Sequence, residues 1–260
     1  MKCKICGSPS THFGKARLLN RHDVSFFRCD RCGFIQTESP YWLEEAYDSA
    51  ITKSDIGLIG RNLEMATHTK QLILTCFKPK GKFIDFGGGY GMFVRLMRDQ
   101  GFDFYRYDLL CENLFAEGFE ASPNTNYTLL TAWEVFEHLQ DPLAEIEKML
   151  SFSRNLFFST ILLGSPPKPL TEWWYYGLEH GQHISFYTLE SLHVIAQKFN
   201  LKIHFSNGSL HFMGDSLINP LLVKVAFDRR FKWAQKFLAK PALPSLIEND
   251  YHIVTGKYLK

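Results

Sequence analysis

The stretch FIDFGGGYGMF, residues 83–93, decides the fold of this chain. Its apolar run predicts a buried strand that closes on Asp85, and Gly87, Gly88, Gly89 and Gly91 then form a turn into a helix. Because glycine has no side chain, backbone in such a turn can approach a ligand closely at the start of the helix. Met92 stands where the dinucleotide fingerprint G-x-G-x-x-G needs its third glycine, so the register D-x-G-x-G-x-G argues for another ligand.

The alternation of strand and helix continues after this turn. A second predicted strand, FDFYRYD, ends on Asp108, where a carboxylate is placed to accept both hydroxyls of a ribose. Further predicted strands are YTLLTAWEV, NLFFSTILL and LKIHFS, and the predicted helices among them are PLAEIEKMLSF and TLESLHVIAQKFN. We therefore expect an α/β fold with a doubly wound, Rossmann-like parallel sheet, and a nucleoside cofactor at the carboxyl ends of its strands.

The composition fits one substantial core with a small appendage. Of 260 residues, 45% are hydrophobic and 15% aromatic, and the formal net charge of +2 indicates no polyanionic partner. The N-terminus lacks the apolar stretch of a secretory signal, and no run approaches the roughly 20 apolar residues of a membrane span. A cytoplasmic location is therefore expected, and there cysteines stay reduced or bind metal.

Four of the six cysteines form a pattern. Cys3, Cys6, Cys29 and Cys32 make two C-x-x-C pairs, each followed by a glycine. Two such knuckles suit tetrahedral Zn²⁺ and leave no open position for a reactive water, which favours a structural zinc ribbon over a catalytic zinc. A redox pair or another metal is the alternative. Cys76 and Cys111 stand alone and are expected to be small buried hydrophobic residues.

The glycine turn, Asp108 and the stretch TAWEVFEHLQDPL, residues 131–143, together resemble class I S-adenosylmethionine-dependent methyltransferases. The similarity is strongest to the subgroup with an N-terminal zinc-binding motif, and it extends over nearly the whole chain. It implies that the motif of Asp85, Gly87, Gly89 and Gly91 embraces the methionine part of the cofactor. It further implies that Asp108 holds the ribose and that residues 131–133, including Thr131 and Trp133, line the methyl-transfer site.

The sequence departs from this family at three places. Gly88 replaces a common cysteine without consequence, whereas Thr128 replaces a common aspartate and removes that contact. The link between the second and fourth strands is short, so the third strand and its adenine contact are expected to be degenerate.

The segment WWYYGLEHGQHISFYT, residues 173–188, is the first candidate for the chemistry. It follows a predicted strand and is therefore expected over the cofactor end of the sheet, where its aromatic residues could stack on a sugar or ring. Methyl transfer needs an acceptor stripped of its proton, and Glu179, His180 and His183 are the candidate bases. The H-I-S-F-Y run resembles an element of sugar methyltransferases and favours His183. An ordinary packed lid is the structural alternative.

A second candidate is the E-x-x-E-H run formed by Glu134, Glu137 and His138. Residues three and four apart share a helical face and could hold a hard divalent ion. The run resembles that of quinone O-methyltransferases, for which a magnesium role is proposed. The favoured interpretation is that these residues end a short helix and that the carboxylates shape the site.

The sequence predicts a zinc ribbon over residues 1–40, a catalytic domain over 41–215, and a helical insertion with a final edge strand over 216–260. Basic charge and Phe227, Phe231, Trp233 and Phe237 mark the helical part of that last segment. It is expected to pack on the catalytic domain or on a second copy in a homodimer, with a membrane surface as the alternative. DYHIVTGKYL, residues 250–259, is predicted as the edge strand.

These observations predict a methyltransferase that acts on a hydroxyl or acidic carbon of a nucleotide sugar or glycan precursor. One alternative is an RNA methyltransferase whose basic ribbon reads RNA, although the near-neutral charge disfavours a nucleic-acid partner. Another is a non-catalytic scaffold that binds the cofactor and recruits a partner.

Overall fold

A computed structural model describes residues 1–47, 55–228, 230 and 243–259. The chain divides into two compact units, each treated below by itself. The first unit comprises Met1–Thr52, Glu134–Lys148 and Phe158–Met213, and the second comprises Lys53–Trp133, Met149–Phe157 and Gly214–Lys260. The units interleave along the chain, whereas the sequence predicts contiguous domains with boundaries after residues 40 and 215.

The described residues form ten strands and seven α-helices. The strands are β1 Ser10–Leu18, β2 His22–Cys29, β3 Ile35–Thr37, β4 Lys82–Phe86, β5 Asp103–Tyr107, β6 Leu129–Ala132, β7 Leu156–Ser159, β8 Ser185–Phe186, β9 Lys202–Ser206 and β10 Leu210–Gly214. The helices are α1 Leu43–Ala46, α2 Leu58–Cys76, α3 Met92–Asp99, α4 Pro142–Phe152, α5 Leu189–Lys198, α6 Pro220–Phe227 and α7 Ile247–Thr255. No helix among the described residues is long and apolar enough to cross a membrane.

The larger sheet has six strands in the order β5-β4-β6-β7-β10-β9. Strand β4 is parallel to both of its neighbours, β5 and β6, as predicted. The sheet is mixed and not all-parallel, because β9 and β10 form a hairpin at one edge. The opposite edge is β5, and the chain between β5 and β6 adds only an isolated bridge from Arg106 to Glu120. This confirms the predicted degeneration of the third strand.

The first unit contains a four-stranded sheet in the order β1-β2-β3-β8. Cys3 and Cys6 precede the long hairpin β1–β2, Cys29 ends β2, and Cys32 lies in the turn before the short strand β3. β3 pairs with β8 through Ile35 and Phe186. Its core combines residues from both ends of this unit: Phe26 and Trp42 pack in one cluster with Tyr175, Tyr176 and Phe186. The sheet therefore joins the cysteine ribbon to residues 173–188, the aromatic segment, and the ribbon is not an independent appendage.

The C-terminal prediction is wrong over residues 250–259, because Ile247–Thr255 form the helix α7 and not an edge strand. Glu248 and Asp250 lie in its first turn, and Gly256, with φ of 69°, ends it in the left-handed conformation. The predicted helix near residue 220 is confirmed as α6, including Phe227. The predicted helical residues Phe231, Trp233 and Phe237 lie outside the described residues.

Candidate active site

The glycine turn lies in the second unit, between β4 and α3. Gly87, Gly89 and Gly91 have φ values of 69°, 52° and 87°, a region that residues with a Cβ rarely adopt. At Gly91 a Cβ atom would also lie 2.7 Å from Asn113 Oδ1 and 3.0 Å from Ala116 Cβ. Both the backbone conformation and the lack of space for a Cβ atom therefore require glycine here. The turn leads directly into the N-terminus of α3.

Asp108 links the glycine turn to the loop that follows β5. Its Oδ2 accepts a hydrogen bond from the Gly89 amide at 2.9 Å, and its Oδ1 accepts from the Leu110 and Cys111 amides at 2.8 and 2.9 Å. A carboxylate offers about four acceptor positions, so three of them are in use. Asp108 therefore positions both segments of the predicted nucleoside site.

Arg106 is a site residue that the sequence analysis missed. It is buried, and its guanidinium donates to the carbonyl oxygens of Gly89 and Cys111, which are on the same two segments that Asp108 joins. The available signal was its position in FDFYRYD, where strand alternation places a charged side chain on the same face as buried Phe104. The buried Arg106, two residues before Asp108, therefore holds the glycine turn and the loop after β5 together.

Asp85 lies under the glycine turn and has almost no exposed surface. The buried Thr131 hydroxyl donates to Asp85 Oδ1 at 2.6 Å. Burial raises the pKa of Asp85 to about 7, although the Thr131 hydrogen bond opposes this increase. The structure thus places Asp85 and Thr131 together as a buried support of the turn.

Trp133, the third residue of the predicted methyl-transfer segment, packs edge-on against Phe93 and Phe157 at ring-centroid distances of 5.5 and 5.0 Å. Its buried indole Nε1 has no hydrogen-bond partner among the described residues. A buried donor without a partner is costly, which is typical of a position that faces a ligand.

The candidate bases lie in the first unit, around three histidine rings. His183 stands edge-to-face with His138 and with His180, at centroid distances of 4.8 and 4.7 Å. Tyr175 packs against the other side of His183 at 4.8 Å. Glu179 is an exposed carboxylate whose charge acts on His180 and opposes the effect of burial on the pKa of that ring. The structure therefore brings together two of the three predicted bases and adds His138.

Hydrogen bonds distinguish the two histidines. His183 Nδ1 lies 2.6 Å from the Tyr175 carbonyl oxygen, to which it donates, so the lone pair of the neutral ring is on Nε2. His180 Nδ1 accepts from the Gln182 amide at 3.1 Å, so its neutral ring carries the proton on Nε2. Burial lowers the pKa of both imidazoles, more strongly for His183. His183 thus offers a free lone pair and His180 does not.

The E-x-x-E-H run does not act as one set of ligands. Glu134, with φ of 54°, is bound to Ser159: its carboxylate accepts from the hydroxyl, and its amide donates to that oxygen at 2.8 Å. Glu137 is fully buried, and among the described residues no hydrogen bond of good geometry reaches its carboxylate oxygens, although the hydroxyls of Tyr175 and Thr160 lie near. Burial and the charge of Glu134 raise the pKa of Glu137 to about 8.

The four predicted zinc ligands come together in the first unit. The Sγ atoms of Cys3 and Cys32 are 3.7 Å apart, those of Cys6 and Cys29 are 3.4 Å apart, and all four lie within 4.8 Å of one another. The Ile5 and Cys32 amides donate to Cys3 Sγ and Cys29 Sγ at 3.4 Å. Four unbonded thiols with amide donors are the ligand set of a closed tetrahedral zinc site, so these residues fit the ion.

Residues 60–204 match the family described as methyltransferase domain. No curated protein matches the chain. Three similar solved structures are human N-acetylserotonin methyltransferase with SAM, the mitomycin 7-O-methyltransferase MmcR, and an O-methyltransferase family 2 protein from Planctomyces limnophilus with apigenin. Their identities are 13%, 12% and 15%, and their TM-scores are 0.42, 0.43 and 0.46. The aligned regions cover 58%, 67% and 66% of this chain but only 51%, 60% and 65% of those chains, which are longer.

Proposed function

The chain belongs to the methyltransferase domain family of S-adenosylmethionine-dependent enzymes, and from this premise we propose that it methylates a small molecule. The acceptor group is a hydroxyl or acidic carbon, and the acceptor is a nucleotide sugar or a related glycan precursor. The observation that carries the cofactor assignment is the glycine turn, with three residues in the left-handed region and Asp108 bonded to it. S-adenosylmethionine, when bound, supplies an electrophilic methyl group on a sulfonium.

The residues of the second unit would bind the cofactor. The Gly87–Gly91 backbone receives its methionine part, and Trp133 Nε1 offers a donor that has no partner in the described part of the chain. Asp108 receives the ribose. Because three of its acceptor positions are in use, a bidentate contact with both ribose hydroxyls requires release of one of the three backbone amides that donate to it.

His183 would activate the acceptor. Its Nε2 lone pair is free because Nδ1 donates to the Tyr175 carbonyl, and burial keeps the ring neutral. The proton of the acceptor group passes to Nε2, a bond forms between the acceptor atom and the methyl carbon, and the bond from carbon to sulfur breaks to release S-adenosylhomocysteine. His180, whose Nε2 carries a proton, orients the acceptor or the His183 ring.

The aromatic segment supports a sugar-like acceptor. Trp174 is 74% exposed, although it packs edge-on against Tyr175, which itself contacts His183. An exposed indole beside the candidate base offers a flat apolar face for a pyranose or a nucleobase. This is the feature on which the proposed acceptor class depends.

Contacts of the ribbon count against the RNA alternative. Lys4 donates to the Gln140 carbonyl, Arg17 pairs with Asp23, and Arg21 pairs with Glu45. Basic side chains that are engaged within the protein offer less to phosphates. We also propose that Zn²⁺ binds Cys3, Cys6, Cys29 and Cys32, where it would hold the ribbon knuckles together.

The proposal is tested with methyl-labelled S-adenosylmethionine, offered with the purified full chain to a pool of nucleotide sugars and small metabolites and, separately, to total RNA. We expect label in the small-molecule pool. Label only in RNA would overturn the acceptor class. Cofactor binding without label in either pool would favour the non-catalytic scaffold.

The cofactor site is tested separately with Asp108→Asn, whose Kd for S-adenosylmethionine is measured by calorimetry. Loss of charge-assisted hydrogen bonds to the ribose should weaken binding by about 10- to 100-fold. Glu112→Gln, an exposed acid in the same loop, is the matched control and should leave the Kd unchanged. Equal affinities for wild type and Asp108→Asn would reject Asp108 as the ribose ligand.

A further inference from the structure

Beyond the four cysteines, a second group of metal-ligating side chains lies in the first unit. Glu137, His138 and His183 each offer one ligand atom, and these three atoms lie within 4.8 Å of one another. Two of them come from the short 3₁₀ helix Phe136–His138, and the third comes from the aromatic segment. The E-x-x-E-H run predicts Glu134 as the third ligand, but the Ser159 hydroxyl donates to that carboxylate.

The carboxylate of Glu137 is the main evidence for an ion at this cluster. It is fully buried, and among the described residues no hydrogen bond of good geometry reaches either oxygen, although the Tyr175 and Thr160 hydroxyls lie near. Isolated buried carboxylates are rare because desolvation is costly, and those that persist are protonated, paired or bound to metal. Its neighbours in the cluster are two imidazoles, which are the ligands most often found with a carboxylate at a divalent ion.

The surroundings orient both imidazoles for ligation. His183 donates through Nδ1 to the Tyr175 carbonyl at 2.6 Å, and His138 Nδ1 lies 2.9 Å from the Tyr47 hydroxyl. A metal-bound histidine usually makes such a contact with its second nitrogen, because that contact fixes the ring and directs the other lone pair at the ion. In His183 this leaves Nε2 for the metal, and His138 presents a ring nitrogen within 4.8 Å of the other two ligand atoms.

We propose that Glu137, His138 and His183 form a binding site for a divalent ion of the zinc type. Two nitrogen ligands and one oxygen ligand favour Zn²⁺ over Mg²⁺, which prefers oxygen ligands only. Ligands of a tetrahedral zinc ion with Zn–N bonds of about 2.1 Å lie roughly 3.4 Å apart. The cluster would therefore contract by at most about 1.4 Å from the 4.8 Å of this structure when the ion binds.

Three protein ligands leave an open position on such an ion. The inference rests on the proposed function and refines one assignment in it: His183 activates the acceptor through the ion and not as the free base. An acceptor hydroxyl binds at the open position, where the ion lowers its pKa, and its proton leaves to water. An acceptor whose reacting group is a hydroxyl, with oxygen available to the metal, is therefore favoured over one with a reacting carbon.

Metal content of the purified full chain tests the site without reference to catalysis. After loading with zinc chloride and removal of excess metal, wild type should hold about two zinc ions per chain, one in the four-thiol site. Glu137→Gln and His183→Gln should each hold about one. His193→Gln changes an exposed histidine of α5 in the same unit and should hold about two.

Two measurements on wild type need no variant to fold. Zinc X-ray absorption should show sulfur ligands at about 2.3 Å together with nitrogen or oxygen ligands at about 2.0–2.1 Å. Anomalous scattering from zinc-loaded crystals should give a peak between Glu137, His138 and His183. A purely sulfur shell, or a peak only at the cysteines, would overturn the ion site. The labelling experiment decides methyl transfer independently, so failure of one proposal is distinguishable from failure of the other.

Discussion

At the scale of single residues, the candidate cofactor site depends on buried groups below it. Asp85 is buried and accepts a hydrogen bond from Thr131, so it supports the glycine turn from the protein interior. Arg106 performs the same task for the loop after β5 through its bonds to the Gly89 and Cys111 carbonyls. Buried polar residues of this kind set the position of backbone amides that a ligand would contact.

Asp85 should make stability depend on pH. Burial raises its pKa from 3.8 to about 7, so the folded state holds the proton more tightly than the unfolded state does. The contribution of Asp85 to the free energy of unfolding is therefore most favourable below about pH 4 and is lost as pH rises to about 7. Asp85→Asn should unfold with the same free energy as wild type near pH 4 and should be more stable by up to about 4 kcal/mol at pH 8.

Urea unfolding of both proteins at several pH values measures this difference. Comparison with the variant cancels the effects of other titrating groups, since those are shared. A difference that stays constant from pH 4 to pH 8 would mean that Asp85 is ionised in the folded protein.

Gly91 should tolerate no side chain. Its φ of 87° and the 2.7 Å approach to Asn113 Oδ1 predict that Gly91→Ala loses about 1–3 kcal/mol in the free energy of unfolding. Gly60→Ala is the matched control, because Gly60 lies in α2 and its Cβ would meet no atom within 4 Å. That variant should gain about 0.5–1 kcal/mol. Equal urea midpoints for the two variants would contradict the argument.

At the scale of elements, local sequence was sufficient where the chain carries its own signals. The predicted helix PLAEIEKMLSF matches α4, and KFIDF matches β4, since apolar periodicity and flanking breakers define both. α7 was mistaken for a strand because residues 250–259 are rich in β-branched and aromatic residues. The helix is joined to α3 by a contact distant in sequence, between Asp250 and Arg98, which local sequence patterns do not predict.

Among the site residues, the glycine turn and the cysteine pairs carried recognisable spacing. No such spacing marks Arg106, or the closeness of Glu137 to His183, because in both cases the fold brings together segments that are distant in sequence. The His183 and His180 tautomers likewise follow from backbone partners that are known only from the structure.

Asp250 should hold α7 in place. Both its carboxylate oxygens accept from the Arg98 guanidinium, at 2.7 and 2.8 Å, and both side chains are buried. Asp250→Ala removes a carboxylate partner of the buried Arg98 charge and should lower the free energy of unfolding by about 3–5 kcal/mol. Glu248→Ala, an exposed acid on the same helix, should change it by less than about 0.5 kcal/mol. A loss below about 1 kcal/mol for Asp250→Ala, measured by urea unfolding, would contradict an anchoring role.

At the scale of the whole molecule, the proposed cofactor and acceptor roles fall in separate compact units. The glycine turn, Asp108 and Trp133 lie in the second unit, whereas the four-cysteine cluster and the histidine cluster share the first. Within the first unit the coupling is direct. β3 pairs with β8, two residues after His183, and the Thr188 hydroxyl donates to the Cys32 carbonyl while it also caps α5. The cysteine knuckle therefore braces the segment that carries the candidate base.

Loss of the proposed zinc ion at the four cysteines should thus impair acceptor chemistry and spare cofactor binding. Cys32→Ser removes one thiolate ligand but keeps the carbonyl that binds Thr188, and should reduce zinc content by about one ion per chain. We expect methyl transfer to the identified acceptor to fall by at least about tenfold, because the knuckle no longer fixes the His183 segment. The Kd for S-adenosylmethionine should stay within about twofold of wild type, because every proposed cofactor contact lies in the second unit.

Cys76→Ser supplies the comparison, since Cys76 ends α2 in the second unit, apart from the four-thiol cluster. It should retain wild-type zinc content and wild-type transfer. If Cys32→Ser lost zinc and cofactor affinity together, the two units would have to fold as one cooperative body. If it lost zinc and kept full transfer, the ribbon would have no part in positioning His183, and the pairing of β3 with β8 would serve stability alone.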